Sequence, residues 1–151
     1  TDAEGRLVLA DCLHHAAQLE PDCIIDLATL TGACMVALGP NYAGLFSDDD
    51  DLAGRILNAA DGAGESLWRM PLDPKLADNL KSKRADITNL GDRFGGAITA
   101  AQFLQHFKGD ASWAHMDIAG PVLAPKDDGY IRTGGTGYGV MTLWSFIESN
   151  A

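Results

Sequence analysis

The stretch CIIDLATL, residues 23–30, decides how the rest of the chain is read. It is short, rich in β-branched side chains and apolar except for Asp26, and Pro21 stands just before it. A run of that length with those flanks reads as a strand buried on both faces, as strands of parallel sheets are. Upstream, Leu7, Ala10, Leu13 and Ala17 recur at three- and four-residue steps, which predicts a helix over 4–19 with one buried face, stopped by Pro21.

Downstream, strand-like and helix-like segments alternate. Residues 32–38 read as a short helix behind a loop, with Thr31 as its cap, and AGLFS (43–47) as a strand. Residues 50–60 read as a helix closed by Gly62, LWRMPL (67–72) as extended chain, and 74–81 as a helix. GGAITAAQFLQHF (95–107) is a helix entered through two glycines, WAHMDIAG (113–120) an alternating strand, and GYGVMTLWSFIES (137–149) the last helix. This order predicts an α/β fold: a three-layer sandwich whose sheet is mixed but largely parallel, flanked by helices. No internal repeat or linker divides residues 1–151, which read as one domain. The chain opens on a helix with no strand feeding it, so the expectation is a unit incomplete on its N-terminal side.

Composition narrows the function classes. The net charge of -10, from 21 acidic against 11 basic residues, repels phosphate backbones and argues against nucleic-acid partners. No apolar run is long enough to cross a bilayer, and the start lacks the basic-then-apolar plan of a secretory signal. Cys12, Cys23 and Cys34 show no CxxC spacing and read as buried free thiols in a reducing cytoplasm. Asp48 to Asp51 read as a solvated helix start, favoured by the helix dipole, with a cation site as the alternative.

The chemistry concentrates at the opening TDAEGRL (1–7). Thr1-x-x-Glu4 before a periodic apolar run is a capping box. That reading leaves Asp2 and Arg6 without a purpose. A D-x-E pair can instead offer two hard oxygen ligands to divalent cations, with an arginine nearby to hold an anion. Spacing alone leaves both readings open. DLATLTGA (26–33) reads either as a strand running into a helix cap or as a loop lining a ligand crevice. The glycines of NLGDRFGGAITAAQFL (89–104) and GGTGYG (134–139) give only weak nucleotide-loop patterns. No GxSxG and no HExxH occurs. His14 and His15 point about 100° apart on a helix, His106 reads as a helix-surface residue, and His115 as a hydrogen-bonded core residue.

TDAEGRL, DLATLTGA, WRMPL (68–72), ADITNLG (85–91), GGAITAAQFL and WAHMDIAG follow one another in a single order. That series resembles the C-terminal catalytic domain of the leucyl (cytosol) aminopeptidase family, from Thr1 to about Gly139. The resemblance implies a zinc-peptidase-like fold truncated on its N-terminal side. It implies a metal-dependent exopeptidase that releases N-terminal amino acids, with a leucine-type preference, through hydroxide activated by two metals. The alternative is a non-catalytic assembly or binding module of the same fold.

Residue by residue, the resemblance implies that Asp2 ligates one metal and Glu4 bridges two, manganese or zinc. Arg6 is implied as the catalytic arginine that holds a bicarbonate ion. Thr29, Gly32 and Ala119 would line the pocket for the first side chain, and Leu30 would offer its backbone carbonyl to substrate. Ala3 and Leu90 would border the second side chain. Peptides are the implied substrates, a homo-hexamer the implied assembly, and the cytoplasm the implied location. The family's remaining ligands, two lysines and two aspartates, lie upstream of the segment matched here, so the isolated chain is expected to be inactive.

Overall fold

The computed structural model describes residues 3–150. Helix α1 (Ala3–Ala17) leads into strand β1 (Cys23–Ala28), helix α2 (Gly32–Leu38) and strand β2 (Ala43–Ser47). Helix α3 (Asp50–Ala63), strand β3 (Leu67–Arg69) and the short helix α4 (Pro74–Ala77) follow, the last continuing into one 3-10 turn over Asp78–Leu80. Helix α5 (Gly96–Gln105), strand β4 (Ser112–Asp117), the two-residue strands β5 (Leu123–Ala124) and β6 (Gly134–Gly135), and helix α6 (Val140–Asn150) complete it.

The main sheet has the order β1-β4-β2-β3. β1 runs parallel to β4 and β2 parallel to β3, while β2 and β4 are antiparallel. The sheet is therefore mixed and largely parallel, as predicted. β4 alternates two sets of side chains across it. Trp113 packs with Ile24, Phe46 and residues of α1, α2 and α5. Ala114 and Met116 pack with Leu45 and residues of α3 and α6. α1, α2 and α5 over one core and α3 and α6 over the other make the outer layers of a three-layer sandwich.

One expectation about β1 is corrected. Among the described residues β1 is an edge strand, paired only with β4, and Ile24 alone in it is buried. Burial on both faces belongs instead to β2, which is buried throughout, and to β4, buried from Trp113 to Asp117. β4 therefore lacks the in–out alternation expected of it. Asp26, the one acid of the β1 run, takes a structural part: its carboxylate accepts from Trp113 Nε1 at 2.8 Å and pairs with His115 Nδ1 at 2.6 Å. His115 is fully buried, as a hydrogen-bonded core residue.

The helix ends follow ordinary capping chemistry. Asp49 caps α3 by accepting from Leu52 N–H at 3.0 Å, which lowers its pKa, while Asp50 and Asp51 occupy the first turn. The solvated-start reading of this acidic run is the observed one. α3 runs through Gly62 and is closed by Gly64 in the left-handed conformation (φ 70°), two residues later than expected. On α1, Ala10 and Leu13 are buried, but Leu7 is 51% exposed, because the buried stripe enters the helix through Arg6 instead. Cys34 is buried, Cys23 half-buried and Cys12 exposed, so the three cysteines do not share one environment.

The glycine-rich loop before α6 is also settled by capping. Gly139 N–H, Thr142 N–H and the Thr142 hydroxyl all donate to the Glu65 carboxylate, at 2.8, 2.9 and 2.5 Å. The protein's own anion holds the place a phosphate would need, which removes the nucleotide reading of 134–139. Replacing Glu65 by Ala should lower unfolding free energy by about 1–3 kcal/mol, the cost of stranding partly buried donors. Urea unfolding would measure this, and an unchanged midpoint would contradict the cap.

Candidate active site

Two parallel strands place the first group of residues. β1 and β4 release the chain at the same sheet edge, with Ala28 and Asp117 as the last paired positions. In open α/β sheets that edge is where ligands bind. The β1 exit, 29–32, turns into α2, and Thr31 caps this helix by accepting from Cys34 N–H at 3.0 Å, as predicted. The β4 exit, 118–120, starts with Ile118 N–H donating to the Ala28 carbonyl at 2.9 Å.

Asp117 fastens the two exits together. Its side chain is fully buried. Oδ1 accepts from Leu30 N–H at 3.1 Å and from Ala119 N–H at 3.2 Å, and Oδ2 accepts from the Thr31 hydroxyl at 2.7 Å. Burying a carboxylate is costly unless its lone pairs are met, and here three donors meet them. Cys34 Sγ donates to the Asp117 backbone carbonyl at 3.8 Å. Burial, and then the Asp117 charge, push the Cys34 thiol up to about 12. Gly120 completes the exit: a Cβ there would stand 2.6 Å from the Gly39 carbonyl oxygen and 2.9 Å from that of Tyr42. Only glycine lets β4 leave the sheet so close to the chain behind α2.

A second group forms around the first turn of α1. Glu4 is exposed and Arg6 is buried, at 4%. Arg6 Nη1 donates to the Asn89 carbonyl at 2.9 Å, and Asn89 Nδ2 donates back to the Ala3 carbonyl at 2.8 Å. The 85–91 loop is thus tied to α1 from both directions, which leaves Leu90 beside the tie and 57% exposed. Both groups share a backing: α5 packs against α1 and α2, and Ala10, Leu30 and Ala97 belong to one core.

The expected site residues therefore fall into two sets. Thr29, Leu30, Gly32 and Ala119 lie on the exits of β1 and β4, while Ala3, Glu4, Arg6 and Leu90 lie at the α1 turn. Leu30 is buried at 1%, so any role facing a ligand falls to its backbone. Thr1 and Asp2 lie outside the described residues, and with them the capping box and the Asp2 ligand. Among the described residues no three His, Cys, Asp or Glu side chains gather where they could hold a metal ion. Glu4, in the first turn of α1, carries hard carboxylate oxygens of the kind divalent cations take. A concavity of about 420 Å³ between Pro121, Tyr130, Tyr138 and Met141 is lined by none of the expected residues. Asn89 and Asp117 received no site role from sequence. The available signal for Asp117 was a lone acid closing an apolar strand just before a glycine.

A family profile described as cytosol aminopeptidase family, catalytic domain, matches residues 1–144. A probable cytosol aminopeptidase of Cyanothece sp. is 57% identical over 147 residues, covering 97% of this chain and 30% of the relative. The corresponding protein of Trichodesmium erythraeum is 58% identical over 149 residues, covering 99% and 30%. Among solved structures, a mutant of tomato leucine aminopeptidase superposes with a TM-score of 0.91 at 49% identity, covering 98% of this chain and 29% of that one. The bottromycin maturation enzyme BotP, in complex with Mn, gives 0.92 at 42% identity, covering 97% and 33%. The chain thus spans about 30% of the length of the curated relatives it matches.

The packing around Asp117 makes a direct prediction about thiol chemistry. A pKa raised to about 12 keeps Cys34 in its unreactive thiol form at neutral and mildly alkaline pH, and burial shields it further. Iodoacetamide at mildly alkaline pH should label exposed Cys12 in the folded protein and spare Cys34, read by peptide mass spectrometry. Equal labelling of both would contradict this environment.

Proposed function

The chain belongs to the cytosol aminopeptidase family, and from that premise we propose that it supplies part of the active site of a metal-dependent exopeptidase. That enzyme releases N-terminal residues, preferentially leucine-type, from peptides. The observation that carries the reading is the first turn of α1: an exposed carboxylate, Glu4, and two residues on a buried guanidinium, Arg6, which the 85–91 loop holds through Asn89.

Asp2 and Glu4 would hold two divalent cations, manganese or zinc, with Glu4 shared between them. Bound there, such ions supply an acidified water and a polarised scissile carbonyl. Arg6 stays charged at any working pH, and its fixed fork suits a small planar anion, so it would hold bicarbonate as the proton acceptor. Withdrawal of that guanidinium from water favours an anion beside it. Thr29, Gly32 and Ala119 would line the pocket for the first side chain, at the sheet edge where crevices form. The Leu30 carbonyl would accept a hydrogen bond from the substrate, and Ala3 with exposed Leu90 would border the second side chain.

A homo-hexamer and a cytoplasmic location are proposed from the same resemblance. Among the described residues no helix is long and apolar enough to cross a membrane. The 151 residues alone are proposed to be inactive, because two carboxylates cannot fill the coordination positions of two cations.

Glu4→Gln tests the metal reading against the cap, since Gln also serves a capping box. In a full-length aminopeptidase carrying this segment, it should cut activity by more than about a hundredfold, beyond what outer-sphere partners of a metal cost. Thermal stability should barely move. Retained turnover of a leucine anilide would return Glu4 to a capping role. The isolated 151-residue chain should show no turnover above a metal-only blank.

A further inference from the structure

We propose that Asp117 is a positioning residue for substrate selection: its buried carboxylate holds the β1 and β4 exits in one arrangement, and so sets which first side chain the pocket accepts. The proposal deepens the aminopeptidase reading and rests on it.

The ladder between β1 and β4 ends at Ala28 and Asp117. Beyond that point the two exits need a hold of their own, and the Asp117 carboxylate provides it through one N–H from each exit and one hydroxyl. The two backbone donors belong to Leu30 and Ala119, one on each of the two exits that carry the proposed pocket. The hydroxyl donor, Thr31, passes the hold on to α2 through Cys34 N–H. The spacing of Leu30 and Ala119 is thereby tied to a single oxygen, Oδ1. A pocket wall displaced by about an ångström alters the contacts on which discrimination between side chains rests.

Asp117→Asn should preserve this arrangement. The amide oxygen can stand in for Oδ1 and keep both backbone donors. The amide nitrogen can donate to Thr31 Oγ1, which has a second lone pair beside the one given to Cys34 N–H. Asp117→Ala strands all three donors and frees the exits to separate.

The experiment compares kcat/KM for leucine and alanine anilides in the metal-loaded, full-length aminopeptidase carrying this segment. Asp117→Ala should lower the leucine-to-alanine ratio about tenfold, mainly by raising KM for the leucine substrate. Asp117→Asn should restore that ratio to within about threefold of the unmutated enzyme. Thr31→Val removes the Oδ2 donor together with the cap on Cys34 N–H and should lower the ratio about threefold, so the test survives if the alanine variant does not fold. A merely structural role would reduce the active fraction for both substrates equally and leave the ratio untouched. An unchanged ratio in the folded alanine variant, or in Thr31→Val when the alanine variant is unfolded, overturns the proposal. So does an asparagine variant as impaired in ratio as alanine. An unmutated enzyme inactive on both substrates overturns the aminopeptidase reading itself.

Discussion

A carboxylate taken out of water must find donors, and in this fold that requirement organises the functional edge. Asp117 ends the β4 strand fully buried and draws N–H and O–H groups from the segments that follow β1 and β4. Two positions back on β4, His115 is buried and pairs with Asp26 of β1, which also accepts from Trp113. Two aspartates, one on each strand, thus accept from Trp113 Nε1, pair with His115 Nδ1 and meet the exit donors along the β1–β4 seam. The arrangement pins the register. A one-residue slip would turn Asp26 to the other face of the sheet and away from the groups it now serves.

That seam also explains how two separate pieces of chemistry share a scaffold. The exits of β1 and β4 carry backbone groups and small side chains suited to forming a pocket. The first turn of α1 carries a carboxylate and a guanidinium suited to ions. α5 stands behind both, contributing Ala97, Ala100 and Ala101 to the core that also takes Ala10 of α1 and Cys34 of α2. Small side chains let the helices approach closely. Gly95, in the left-handed conformation (φ 66°), opens α5 where a Cβ would meet Leu76 at 2.8 Å. The 85–91 loop arrives just before this helix, and Asn89 reaches across from it to Ala3 and Arg6.

How much of this was legible depended on how local the cause was. Strands, helices and most caps follow from neighbouring residues, so β1, α2 with Thr31, β2 and α5 were read close to their observed limits. The position of β1 was not, because edge or centre is decided by which strands pair, and β1 itself says nothing of that. The apolar character of CIIDLATL fits a strand packed between layers, yet its neighbour β4 is the one enclosed on both faces. Leu7 was assigned to the buried face of α1 on spacing, whereas the stripe is completed by Arg6, a residue that hydropathy places outside. At the site, motif resemblance pointed to Glu4, Arg6 and the exit residues. Asn89 and Asp117 stay silent because, Ala119 apart, their partners lie 83 to 87 positions away, at a distance only the folded chain closes.

In the proposed enzyme the α1 turn and the β1–β4 edge would form two walls of one metallopeptidase site. The most direct measurement is a crystal structure of a full-length aminopeptidase carrying this segment, grown with manganese and a phosphonic analogue of leucine, with anomalous scattering used to place the ions. Two anomalous peaks bridged by the Glu4 carboxylate are expected, with the analogue's isobutyl group between the 29–32 exit and Ala119. Peaks remote from Glu4, or an analogue seated away from the β1–β4 edge, would contradict this reading.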